Sequence, residues 1–209
     1  MTLNTKENFI CDCCGESFSD NVLVSTNEFG YKDLDTRPAP MKRSTMSFWI
    51  HQCPNCGYIL HNKRNGAEFR EYIESDEYKT CEGMNFKNDL AVKFYKDGLL
   101  FVQKEDYLIS CLSFLKAAWV FDDLESLNEA IHCRNKFLEC FDKLNNDEKI
   151  LDIELIRLDV LRRAGKFDIV INDANPEMFD QEIMYKIAKF EIKKSQEKDD
   201  KCYTIEEVI

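Results

Sequence analysis

The chain is poor in the residues that punctuate loops. Seven Gly and four Pro stand against fifteen Phe, eight Tyr and two Trp, which argues for a globular, helix-rich protein and against a disordered one. Histidine is scarce too. His51, His61 and His132 are the only three, and no H-E-x-x-H, G-x-S-x-G or phosphate-cradling glycine loop is present, so the chain reads as a non-enzyme. No apolar run approaches the length of a bilayer span, and Met1 to Asn8 is polar, without the marks of a secretory signal. An excess of positive charge is missing as well. The formal net charge is −11, and residues 1–64 carry seven basic and seven acidic side chains, so the acidic excess belongs wholly to residues 65–209. An acidic body disfavours a nucleic-acid phosphate backbone or an anionic membrane, which leaves a protein or peptide as the expected partner.

Against these absences stand ten cysteines. Cys11-Asp12-Cys13-Cys14-Gly15 and Cys53-Pro54-Asn55-Cys56-Gly57 form two knuckles. With Cys11, Cys14, Cys53 and Cys56 as ligands, the pattern is C-x2-C-G and C-P-x-C-G, the spacing of a zinc ribbon. Two thiolates three residues apart grip one edge of a tetrahedral ion only where the chain turns sharply, and the glycine after each pair relieves that turn. Four thiolates leave no open coordination position, so the metal is expected to be structural. Zinc suits the set, and iron in the same four sulfurs stays open. Cys13 competes with Cys11 and Cys14, but Gly15 directly after Cys14 favours Cys11 and Cys14. The alternatives are ordinary buried cysteines or a disulfide framework. The remaining cysteines, scattered in apolar surroundings, suit a reducing cytoplasm.

The elements follow from periodicity. Residues 1–8 read as a loose polar lead and Val22–Thr26 as a strand. Met46–Gln52 and Tyr58–Leu60 read as a hairpin with the second knuckle at its tip. Between the arms, Pro38 and Pro40 give residues 32–46 a fixed loop shape, tied down by Asp–Arg pairs or binding an anion or peptide. A short helix is expected over 67–78, broken at Cys81-Glu82-Gly83, then helices over about 87–103 and from 108 to 119 with Gly98 and Ala118 allowing close approach. A third carries Leu127 to Leu144. In it Cys133 and Cys140, about 10.5 Å apart along the axis, are core residues and not a redox pair. A buried helix over 148–164 ends at a left-handed Gly165, and another spans 177–195. Residues 203–209 add a docked final turn. Asp122-Asp123 oppose the dipole of a helix C-terminus and call for a cation such as Arg134. The fold is therefore mostly α with a small N-terminal β zinc ribbon: a zinc-ribbon-like segment over 1–65 and tetratricopeptide-like helical hairpins over 66–209.

The stretch D-L-D-T-R-P-A-P-M-K-R-S-T-M at 33–46, with W-I-H-Q-C-P-N-C-G-Y at 49–58, resembles the bacterial family called domain of unknown function 2225. A-A-W-V-F-D-D at 117–123, H-C-R at 132–134 and D-V-L-R-R-A-G-K-F-D at 159–168 are similar to its helical part. The resemblance covers most of residues 9–168. It implies a zinc-ribbon-like segment joined to tetratricopeptide-like helices, and no activity. Two functional classes follow: a scaffold or interaction module holding a protein partner, and a metal- or redox-responsive regulator working through the cysteine cluster and Cys13. His51 and His61 flank the second knuckle, where a supporting polar role is expected, with ligation in place of a cysteine as the alternative.

Overall fold

Two β-hairpins, each turning through a cysteine knuckle, precede a run of short helices in the computed structural model, which describes residues 1–81 and 88–209. Strand β1 (Leu3–Ile10) pairs antiparallel with β2 (Ser17–Ser25), Phe9 opposite Phe18 and Ile10 opposite Ser17, so the first knuckle lies at the hairpin tip. The expected loose lead is therefore a strand. Its side chains are almost all exposed, so no buried face writes an alternation into the sequence. Order comes from main-chain pairing and from Phe9, whose ring stacks on Phe18 and His51 at 5.5 and 4.6 Å.

The second hairpin, β3 (His51–Gln52) with β4 (Ile59–Leu60), carries Cys53–Gly57 at its tip but is shorter than expected. Residues Arg43–Phe48 form a 3-10 helix, not a strand. Thr45 holds that turn: its hydroxyl donates to the Lys42 carbonyl at 2.7 Å and accepts from Trp49 Nε1 at 2.9 Å.

A 3-10 turn (Gly66–Phe69) opens the helical part, followed by α1 (Arg70–Ile73) and α2 (Asp76–Thr80). The single helix expected over 67–78 is split at Ser75, whose side chain caps α2 by accepting from Tyr78 N. Of the expected break, Glu82 and Gly83 lie outside the described residues, as does Lys87 at the start of the next expected helix. Next come α3 (Asp89–Gln103), α4 (Tyr107–Asp123), α5 (Leu127–Phe141), α6 (Leu151–Arg163), α7 (Phe167–Asp173) and α8 (Glu182–Gln196). Helix α6 starts three residues later than expected, with Ile150 and Leu151 exposed. The stretch expected as one helix over 177–195 begins as a 3-10 turn (Pro176–Met178) and restarts at Glu182.

Three of the connections are the same turn. Asp106 N bonds Phe101 O while Glu105 N bonds Val102 O; Ser126 and Glu125 repeat the pair on Phe121 and Asp122, and Lys166 and Gly165 on Leu161 and Arg162. These are the paired 6→1 and 5→2 bonds of a Schellman motif, with the left-handed residue at Glu105, Glu125 and Gly165. Lys198 closes α8 likewise. Where α3 meets α4, a Cβ on Gly98 would stand 2.7 Å from the Phe114 ring, so glycine is what permits the contact. One apolar core runs from Cys11, Cys53, Tyr58 and Ile59 through Phe94 and Phe114 to Phe137 and Ile153, crossing the boundary expected at residue 65. A second gathers Leu34, Leu158, Val170 and Ile187. No helix among the described residues is long and apolar enough to cross a membrane.

Candidate metal centre

Each knuckle is built the same way. Gly15 N donates to Cys11 O at 2.7 Å and Cys11 N to Glu16 O at 2.8 Å; Gly57 N donates to Cys53 O at 3.0 Å and Cys53 N to Tyr58 O at 2.9 Å. Gly15 and Gly57 sit at φ 81° and 75°, the left-handed region that an L side chain would strain. The two turns face each other and bring Cys11, Cys14, Cys53 and Cys56 together, all four sulfurs within 4.8 Å of one another. Cys11 Sγ is 3.7 Å from Cys56 Sγ, and Cys14 Sγ is 3.6 Å from Cys53 Sγ. A tetrahedron with metal–sulfur bonds of about 2.3 Å has edges of about 3.8 Å, so the thiols are spaced to hold one ion. All four are free, not bridged in pairs. Among the described residues they are the one such grouping of metal-ligating side chains.

The thiols differ in setting. Cys11 and Cys53 are buried, while Cys14 and Cys56 are half-buried on an open cleft of about 450 Å³ shared with Asn55, Arg70 and Glu74. Asn55 Nδ2 donates to Cys14 Sγ at 3.6 Å and, with the Glu16 amide, holds that thiol down at about 6. Burial pushes Cys11 up to about 11 and Cys56 further still. A cation would offset that burial by stabilising the thiolates, and its binding would release their protons.

Cys13 is buried and stands outside the four. Its carbonyl accepts from Arg70 Nε at 2.7 Å, while Asp12 Oδ2 accepts from Gly66 N at 2.6 Å. A Cβ on Gly66 would meet Cys13 N at 2.7 Å. The first knuckle is thus clamped onto the start of the helices. Tyr78 Oη clamps the second, donating to Gly57 O at 2.9 Å. Arg64, sandwiched near the Phe101 and Tyr58 rings, pairs with Asp97 at 2.8 Å and donates to Ile59 O at 2.7 Å. The histidines do not join the thiols. His51 Nδ1 pairs with Asp20 at 3.0 Å, and His61 packs edge-on against Phe101. Spacing singled out the four thiols that come together but not these supports, although Asn55 lay inside C-P-N-C.

The 32–46 loop is tied down, and its partners lie mostly far along the chain. Asp35, wholly buried, accepts from Trp119 Nε1 at 2.7 Å and from Arg163 Nη1 at 3.1 Å. Arg37 pairs with Asp123, and Arg43 with Asp33 at 2.5 Å. Asp122 takes both Nη atoms of Arg134, at 3.0 and 2.6 Å, as expected, and Arg163 Nη2 at 2.7 Å. Burial raises the Asp122 carboxyl, but Arg134, Arg163 and Arg37 outweigh it and hold the group below its ordinary value. Next to this, Arg162 bridges Glu191 (2.5 Å) and Asp159 (2.7 Å) and donates to the Asp199 and Lys201 carbonyls.

No family model, curated protein or solved structure matches the chain.

Proposed function

We propose that this chain is a zinc-stapled, non-enzymatic interaction module of the cytoplasm, its helices stacked as tetratricopeptide-like hairpins and its partner a protein or peptide. The observation that carries the reading is the gathering of four sulfurs within 4.8 Å from two knuckles far apart in sequence. Four thiolates complete a tetrahedral shell and leave the ion no position for substrate, which makes it a staple. Iron in the same sulfurs is the alternative metal. Three like turns between short helices favour hairpin stacking, and the acidic helical body favours a protein partner over nucleic acid. Membership of the domain of unknown function 2225 family, proposed on the motifs at 33–46 and 49–58, fits the same ribbon-plus-helix plan.

A second reading, a redox-responsive regulator, is favoured by the half-buried Cys14 and Cys56 on their cleft. One experiment separates the two. Metal content and free thiols are measured before and after mild peroxide: a staple keeps its ion, whereas a sensor releases it at low dose. A protein captured from native cytoplasm by the metal-loaded chain would support the module, and strongly salt-sensitive nucleic-acid binding would contradict it.

A further inference from the structure

Cys13 is a fifth thiol beside a centre of four. It is 1% exposed and stands outside the grouping of Cys11, Cys14, Cys53 and Cys56. Yet it lines the same cleft as Cys14 and Cys56, and its thiol lies within hydrogen-bonding reach of Cys56 Sγ. Arg70 Nε on its carbonyl, at 2.7 Å, and the close approach of Gly66 to its amide fix it there. Four sulfurs complete a tetrahedral shell, so Cys13 is the thiol at the cleft that an ion would leave unengaged. Its burial shields it from reagents in solvent, whereas Cys56 is half-buried and reached through the cleft. Cys14 is its neighbour in sequence but a poor partner, because adjacent Cα atoms stand about 3.8 Å apart, short of the roughly 4.4 Å that a relaxed disulfide needs.

We propose that Cys13 and Cys56 form an oxidation site for hydroperoxides, in which Cys56 takes the oxygen and Cys13 resolves it as a disulfide. A hydroperoxide transfers its terminal oxygen to the Cys56 thiolate, its O–O bond breaks, and an alkoxide leaves, or hydroxide where the oxidant is hydrogen peroxide. Cys13 Sγ then attacks the sulfenic sulfur: the S–S bond forms, the S–O bond breaks, and the oxygen departs as water with the Cys13 proton. Cys56 is thereby lost as a ligand, and a thiol reductant restores both groups. The proposal rests on the redox-responsive reading and names the thiol pair that makes its response reversible.

The test treats the full zinc-loaded chain with hydrogen peroxide, measures released metal with a chromogenic chelator, and maps disulfides by peptide mass spectrometry after free thiols are alkylated. The expected product links Cys13 to Cys56, with one ion released per disulfide and metal binding regained after dithiothreitol and added zinc. Cys13→Ala keeps its metal before oxidation, since Cys13 is not a ligand, but its Cys56 runs on to the sulfinic acid, and most of the metal binding fails to return after reduction. A disulfide confined to Cys11, Cys14, Cys53 and Cys56 overturns the proposal while leaving the redox-responsive reading intact, and so does full recovery of the oxidised Cys13→Ala chain. Metal that stays in place under peroxide overturns both. The mapping is made on the unmodified chain, so it stands even where Cys13→Ala fails to fold.

Discussion

The cysteine lobe and the helical lobe are held together by different physics. In the first, β1 and β2 are almost wholly exposed, β3 and β4 have two residues each, and the two hairpins meet through four sulfurs. A two-stranded hairpin is marginal in water, so this lobe would gain most from an ion held by the four sulfurs. In the second, Phe94, Phe114, Phe137 and their neighbours form a packed apolar interior. The lobes share the apolar core that runs from Tyr58 and Ile59 to Phe94 and Phe114, and polar contacts at Asp35, Arg64 and Gly66 add to it. The first part is thus predicted to depend on a bound metal and the second on packing, although one apolar core joins them.

Cys53→Ser breaks the comparison hardest. Removal of one ligand should abolish stoichiometric metal binding and, at the scale of zinc-site energies, about 10 kcal/mol in small zinc domains, melt residues 1–65. Amide exchange should show that lobe unprotected while α3 to α5 stay protected; global unfolding would show the lobes to be a single cooperative unit. Asp35→Ala comes next. It leaves the Trp119 indole N–H and the Arg163 guanidinium without their shared acceptor, a loss of about 3–5 kcal/mol measurable by urea denaturation. Gly98→Ala tests the packing-dependent half, where a Cβ 2.7 Å from the Phe114 ring should cost about 1–3 kcal/mol without altering metal content.

Much of this was legible in the sequence, and the rest was hidden for identifiable reasons. The C-x2-C-G and C-P-x-C-G knuckles declare themselves because the glycines serve a local turn. Gly165 likewise records a local demand, and Gly98 the close approach of two neighbouring helices. The same Schellman turn at Glu105, Glu125 and Lys198 is invisible, since those residues take the left-handed conformation without a glycine to advertise it. Strand β1 left no pattern because nearly every side chain is in water, and the Met46–Ile50 run mimicked a strand while burying Met46 from a 3-10 turn. The partners of Asp35 could not be read at all. Arg163 stands 128 residues away, and only the tertiary fold brings the two together.

A smaller effect sharpens the helical half by pH. Burial raises the Glu191 carboxyl to about 8, the negative Asp159 adding to it and Arg162 pulling against it. The folded chain then keeps a proton that the unfolded chain loses near 4.3, so this group's contribution is full below that pH and is lost as pH rises through 8. Glu191→Gln should flatten that slope in a series of thermal melts, and an unchanged slope would show that other groups set it. The smallest change is a gain: Glu125→Gly, at φ 55°, should stabilise by about 1 kcal/mol by relieving the left-handed backbone.

The most direct measurement is X-ray absorption at the metal edge of the chain purified without chelator. One ion per chain with four sulfur neighbours at about 2.3 Å is the expected result. Substoichiometric metal, or nitrogen or oxygen neighbours in place of a sulfur, would contradict a centre built on Cys11, Cys14, Cys53 and Cys56.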